Sequence, residues 1–259
     1  MIRFPKNENT RYYKIHYQYL LNVLSEYHQI RLVSSPGFIL EIEGKSVLID
    51  FSDFNEFDHS PDSYDVCFKY HYNYDVHKHH KNVYPISPVS FMDWKNYSSN
   101  LDKIEYTCNS DKIINNQRPY GNATIRRNYV QKLLKKNFQE VLTRILPQQA
   151  FWEQINDCLV SVCVPGARND MIDRGQLQLM GLGCCTISPL LTDSLCFNSR
   201  PIPGYQYIEC KSDYSDLVDK INWCKENRET CVKIGENAKH FFQNNCTPKA
   251  INSWISQCL

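Results

Sequence analysis

The residues best suited to chemistry gather in the stretch 158–189, CLVSVCVPGARNDMIDRGQLQLMGLGCCTISP. There Arg168 and Arg174 follow a Pro165-Gly166 turn, and Asp173-Arg174-Gly175-Gln176 opens an apolar repeat. Unpaired N–H groups and partial positive charge at a helix N-terminus, with guanidinium groups beside them, suit a phosphate. A third arginine, Arg118, lies in the loop Arg118-Pro119-Tyr120-Gly121. A guanidinium held in such a Pro/Gly-shaped loop can grip a diphosphate through two hydrogen bonds at once. Arg126 and Arg127 extend this basic patch, or else form a solvated helix face with Lys132, Lys135 and Lys136. Two more places have reactive residue types. Asp50 and Asp53 stand just after an apolar strand, and Lys69 and His71 are similarly placed after a second one. Cleft residues collect at strand ends, although a solvated loop with incidental charge explains these four as well. His77, His79 and His80 are metal ligands by type. Their tract, VHKHHK, lacks the paired spacing of a structural zinc site, no HExxH is present, and it reads as a polar loop with no metal.

Positioning these groups requires parallel strands joined by helices. Residues 158–165 are a continuous apolar run of strand length, as in a parallel strand buried on both faces. Asp173 then starts a helix through a capping box, its carboxylate taking an orphan amide while Gln176 reaches back. Leu177, Met180, Gly181 and Leu182 follow helical spacing, Gly183 ends the helix, and 184–188 is the next buried strand. Strand, helix and strand make a right-handed crossover whose ligand edge lies outside the strands' carboxyl ends. Upstream, 122–137 predicts a helix with Ile125, Tyr129, Val130, Leu133 and Leu134 on one stripe, 138–145 a strand, and 147–156 a helix. This alternation predicts a doubly wound α/β lobe over 106–245, completed by a strand at 205–210 and helices at 214–226 and 230–244. A further helix at 247–257 is expected to pack back on the first lobe. That lobe, over 1–105, reads as a helix at 12–27, with Tyr13, Tyr17, Leu20, Leu21, Leu24 and Tyr27 in helical repeat, and strands at 30–33, 38–42, 46–51 and 65–70. Ser35-Pro36-Gly37 and Glu43-Gly44-Lys45 are turns. The polar stretch 82–117, with Pro85 and Pro88 near its start, reads as the passage between lobes.

With 259 residues and 42% hydrophobic content, the chain can bury one large core or two small ones. A net charge of +1 leaves no basic excess for a generic nucleic-acid or membrane-surface binder. No run approaches the ~18 apolar residues of a membrane span, and the first residues lack a signal-like apolar region. The twelve cysteines sit mostly within apolar patterns, as free buried thiols do. These features lead us to expect a cytoplasmic α/β protein without a membrane span.

The second half resembles the donor-binding domain of GT-B glycosyltransferases, particularly the exostosin-like and CAP10-like sugar transferases. The resemblance rests on the order RPYGNATIRR, QQAFWEQINDC, VSVCVPGARNDMIDRGQLQLMGLG, CCTISP and PGYQYIECKSDYSDLVDKINW, from Arg118 to the C-terminus. It implies two Rossmann-like lobes, the first reduced, and transfer of a sugar from a UDP- or GDP-linked donor to a glycan or glycosylated acceptor, with no other cofactor. By the same comparison Arg174 contacts the donor phosphates. The leaving diphosphate and the acceptor proton each need a partner, and for these we expect the amides near Gly175 with Arg118, Arg168 and Gly166 beside Arg174, and Asp50 or Asp53 as the base, with Asp170 and His71 as alternatives. The Glu–x7–Glu pair of many retaining members is absent, Gln176 and Gln178 standing near where an acid is expected, so inversion and retention both stay open. No Asp–x–Asp occurs, in keeping with a site where arginines replace a divalent ion. The rival expectation is a nucleotide- or glycan-binding module without turnover, and a third is a helical interaction protein.

Overall fold

The computed structural model describes residues 1–6, 14–35, 38–87, 94–166, 168, 170–191, 197 and 199–259, with the Lys14 side chain left out. It is a mixed α/β protein with sheets rich in parallel pairs, divided into two compact units. One comprises Met1–Tyr97, Asp193–Arg200 and Asn244–Leu259, the other Ser98–Thr192 and Pro201–Gln243.

In the first unit, strands β1 (Ile2–Pro5), β2 (Ile30–Val33), β3 (Ile39–Ile42), β4 (Lys45–Asp50), β5 (Val66–Lys69) and β6 (Val83–Pro85) form a sheet in the order β2-β1-β3-β4-β5-β6. Only β3 runs against its neighbours; β1 with β2, β4 with β5, and β5 with β6 pair in parallel. The β3–β4 hairpin turns on Glu43 and Gly44 at φ 54° and 82°. Two consecutive left-handed residues match the right-handed twist of the strands, and glycine takes the second position without strain. Helices α1 (Lys14–Ser25), α2 (Tyr74–His77) and α3 (Trp94–Ser98) belong to this unit, as does the final helix, introduced below as α9. Phe4, Tyr17, Phe38 and Phe51 meet edge to face at 4.7–5.8 Å at its core.

In the second unit, β7 (Ile113–Ile114), β8 (Val141–Leu142), β9 (Val160–Val162), β10 (Thr186–Pro189) and β11 (Ile208–Cys210) form a wholly parallel sheet in the order β11-β10-β9-β7-β8. Numbered within the unit this is 2-1-3-4-5, a doubly wound order that reverses between β7 and β9. The connecting helices are α4 (Thr124–Asn137), α5 (Gln148–Glu153) and α6 (Arg174–Gly181), followed after β11 by α7 (Leu217–Glu226) and α8 (Arg228–Asn245). Gly183 closes α6 at φ 78°, and its carbonyl oxygen comes within 1.9 Å of where a Cβ on Gly235 would sit. Glycine at 235 is what lets α8 approach that turn. The last helix, α9 (Pro248–Cys258), is capped by Thr247 and anchored in the first unit by Asn252 Nδ2 on Val23 O at 2.6 Å and Trp254 Nε1 on Pro85 O at 2.8 Å.

Several elements differ from the sequence expectation. The stretch 82–117, read as an inter-lobe passage, holds β6, α3 and β7, and 2–5 is a strand; each is too short, or too near a proline, for periodicity to register. The expected strand at 138–145 shrinks to Val141–Leu142. The helix expected from 12 starts at Lys14 among the described residues, which exclude Tyr12 and Tyr13; the turn residues Pro36 and Gly37, and Pro88, are outside them too. On α4 the inward face is Arg127, Val130 and Leu134, whereas Ile125 is 83% exposed and Tyr129 about half exposed. The helix is rotated from its apolar stripe because Arg127 finds buried partners, described next.

Candidate functional site

Ligands of open parallel sheets bind outside the carboxyl ends of the strands where the order reverses. In the second unit that place lies beyond β7 and β9, and one guanidinium organises it. Arg127, 4% exposed, donates from Nε and Nη2 to Val164 O at 3.2 and 3.1 Å, from Nη1 to Arg118 O at 2.9 Å, and from Nη2 to Asp173 Oδ2 at 2.9 Å. The loops after β7 and β9 and the start of α6 are thus tied to a single side chain. Gln117 adds a second tie, with Nε2 on Asp173 Oδ2 at 2.8 Å and Oε1 accepting from Val164 N at 2.5 Å. Arg126 Nη2 donates to Gly166 O at 2.7 Å.

This network brings the sequence candidates Arg118, Gly166, Arg168, Arg174 and Gly175 to one edge of one sheet. Arg118 and Arg174 are exposed, and the Arg118 side chain makes no hydrogen bond or ion pair among the described residues. Arg168 Nε lies 3.6 Å from Asp170 Oδ1, which turns that carboxylate toward a cation. The Gly175 amide does not serve as expected. Asp173 caps α6 by accepting from Gly175 N at 2.6 Å and Gln176 N at 3.2 Å, so these amides hold the protein's own carboxylate. The other half of the expected capping box is also absent. Gln176 is buried and donates to Ser188 Oγ at 2.9 Å and Thr186 Oγ1 at 3.3 Å, since an amide inside the sheet packing must find partners there.

In the first unit, β4 and β5 are in register with Asp50 opposite Lys69. Their side chains pair at 2.6 Å, both fully buried. Asp50 also accepts from Ser52 N and Asp58 N, while Lys69 donates to Ser52 O and Glu56 O. The pair therefore holds the loop after β4, and Asp50 is a structural ion rather than an available base. Asp53 is different: its carboxylate is about half exposed and lies 3.3 Å from Nε2 of the buried His71. The hydrogen bond from His71 holds the Asp53 carboxyl below its ordinary range against the opposing effect of desolvation. His77 closes the same loop. Its Nδ1 accepts from Asn73 N at 2.9 Å, which leaves Nε2–H to donate to Asn55 O at 2.8 Å, and burial lowers its pKa.

Among the described residues no group of three or more His, Cys, Asp and Glu converges to hold a metal ion, and no helix is long and apolar enough to cross a membrane. The described cysteines are free, and all but Cys258 are buried. Cys158 and Cys184 approach to 3.8 Å, and desolvation pushes the Cys184 thiol well above its ordinary range, as for an inert core thiol.

Sequence reasoning missed Arg127, Gln117 and Lys69 as organisers. The signal for Lys69 was present in its position at a strand end; for Arg127, a charged residue three before Val130 and seven before Leu134, it was the shared helix face.

No family model matches the chain. Part of it is 30% identical over 87 residues to Uncharacterized protein 179R of Invertebrate iridescent virus 6, a match covering 31% of this chain and 7% of that protein. Another match, 32% identical over 57 residues, is to Uncharacterized protein 035R of Invertebrate iridescent virus 3, covering 22% of this chain and 5% of the relative. The matches thus span a small fraction of these relatives' length, and neither name gives an activity.

Proposed function

We propose that the second unit binds a nucleoside-diphosphate sugar and that the protein transfers the sugar to a hydroxyl acceptor, as a GT-B-like glycosyltransferase with a reduced first lobe. The observation that carries this reading is the gathering of Arg118, Arg168 and Arg174 at the reversal point of a 2-1-3-4-5 parallel sheet, with their loops tied together by Arg127. In the transfer the bond from the anomeric carbon to the diphosphate oxygen breaks as that carbon gains a bond to the acceptor oxygen. Charge then develops on the leaving diphosphate, where guanidinium groups stabilise it in place of a divalent ion. With the α6 amides held by Asp173, the arginines bear that role. Of the expected bases, Asp50 is spent on Lys69, which leaves Asp53, His71 and Asp170.

A second reading, a nucleotide- or glycan-binding module without turnover, is favoured by the same loss of Asp50 and of the α6 amides to internal partners. Thermal unfolding with UDP, GDP, ADP and CMP, with and without Mg2+, tests what both readings share. A ligand at about 100 times its Kd adds roughly 2.7 kcal/mol and raises the midpoint by several degrees. A shift with one nucleotide that is lost in Arg174→Ala supports the donor site, and release of nucleoside diphosphate from the matching sugar nucleotide then separates the enzyme from the module. No shift with any nucleotide at millimolar concentration rejects both.

A further inference from the structure

Tyr120 stands exposed at the edge of the second unit where the strand order reverses. It follows β7 by six residues and caps a single 3-10 turn, Gly121–Ala123, in extended conformation. The Arg127 guanidinium lies over its ring, 5.3 Å from the centroid. Arg127 is itself fixed by four hydrogen bonds to Val164, Arg118 and Asp173, so the ring stands on a rigid cation at the point where the strand order reverses. The side chain nevertheless remains 64% exposed. Burial of a tyrosine ring in a core would give most of its apolar area to the protein; this one contacts Arg127 and keeps most of its surface exposed. Two residues before it, the Arg118 side chain is exposed and makes no hydrogen bond or ion pair among the described residues. Gly121, next in the chain, has φ 52° and nothing within 4 Å of where a Cβ would sit.

An open aromatic face beside a cation suits a planar, π-rich group that carries negative charge a short distance away. We propose that Tyr120 is the platform on which the nucleobase of a nucleoside diphosphate stacks, while Arg118 takes the phosphates. The proposal rests on the donor-site reading above and deepens it by giving the base its contact. Because every base offers a π face, stacking on Tyr120 supplies affinity without choosing the base.

Isothermal titration calorimetry of the full chain with UDP, GDP and inorganic pyrophosphate separates the base contact from the phosphate contact. We expect at least one nucleoside diphosphate to bind more tightly than pyrophosphate. Tyr120→Ala should weaken that nucleotide about tenfold or more, in the range of aromatic–base stacking, and leave pyrophosphate binding unchanged. Tyr120→Phe, which keeps the ring and the contact with Arg127, should bind as the parent does, and Tyr120→Leu, which keeps apolar bulk without a π face, replaces the alanine variant if that is misfolded by its thermal midpoint and should show the same selective loss of nucleotide. Tighter nucleotide binding that is indifferent to Tyr120→Ala overturns the platform while the donor site stands. Equal affinity for pyrophosphate and both nucleotides overturns it as well. A parallel loss of pyrophosphate binding in Tyr120→Ala would show the ring merely supporting the Arg127 network, again against the proposal. If neither nucleotide nor pyrophosphate binds the parent protein, the donor-site reading fails and the platform with it.

Discussion

Replacing Arg127 by methionine is the most informative perturbation of the second unit, because one side chain joins the loop after β7 to both ends of the loop between β9 and α6. The substitution keeps much of the volume of the aliphatic stem and removes four hydrogen bonds, one of them to a carboxylate whose side chain is 17% exposed. Breaking a buried pair by removing one partner costs about 3–5 kcal/mol, chiefly through the charge left behind. Here Asp173 keeps Gln117 and two amides and has some access to water, so the lower end, about 3 kcal/mol, is expected. Asp173→Asn preserves a capping oxygen and removes the charge, and should cost about 1–2 kcal/mol. In the double variant the two losses should fall short of additivity by about 1.5 kcal/mol, the coupling between guanidinium and carboxylate. Urea unfolding of the four proteins at one pH measures this, and hydrogen exchange over 117–127 and 160–176 should locate the loosening. A coupling below about 0.5 kcal/mol, or an Arg127→Met cost below about 1 kcal/mol, would refute the view that this ion pair organises the ligand edge.

Three further outcomes follow from the same geometry. Lys69→Met leaves Asp50 buried without its counter-ion and should cost the first unit about 3–5 kcal/mol, with faster hydrogen exchange over 52–58; unchanged exchange there would show that the loop stands without the pair. Burial lowers the pKa of His77, so the unfolded chain takes up its proton near pH 6.5 while the folded one stays neutral, and stability should be full above that pH and decline as pH falls toward the lower folded value. His77→Gln should flatten this slope between pH 7 and 5 in urea midpoints, and an identical slope would assign the titration elsewhere. Gly235→Ala should destabilise by about 1–3 kcal/mol or more, because its Cβ would meet the Gly183 carbonyl at 1.9 Å, and a thermal midpoint equal to the parent's would contradict that approach.

The parts of the fold legible in the sequence are those whose signal is local. The unit β9–α6–β10 announces itself by an apolar run, an aspartate cap and a glycine stop, all within about thirty residues, and the structure has strand, helix and strand there. The strand β7 carries the edge where the order reverses as much as β9 does, yet it consists of two isoleucines in a polar stretch and is a strand only because β8 and β9 pair with it. No periodicity can report a pairing that the chain supplies from elsewhere.

The same division separates the candidate residues. Asp50 and Asp53 are three apart, both just past an apolar run, and by type either could accept a proton. What distinguishes them is register: the parallel pairing of β4 with β5 sets Asp50 beside Lys69, nineteen residues away, and takes it out of chemistry, while Asp53, three residues further along, reaches His71 and stays half exposed. Arg127 repeats the lesson with opposite sign. Beside Arg126 and ahead of three lysines it looks like part of a solvated face, and it is instead a deeply held cation of the edge, because Val164, Arg118 and Asp173 converge on it from two loops. Residue type and spacing therefore mark where charge can act, whereas the tertiary partner decides whether that charge is spent on the fold, as for Asp50, Lys69, Arg127 and Asp173, or left exposed at the surface, as for Arg118.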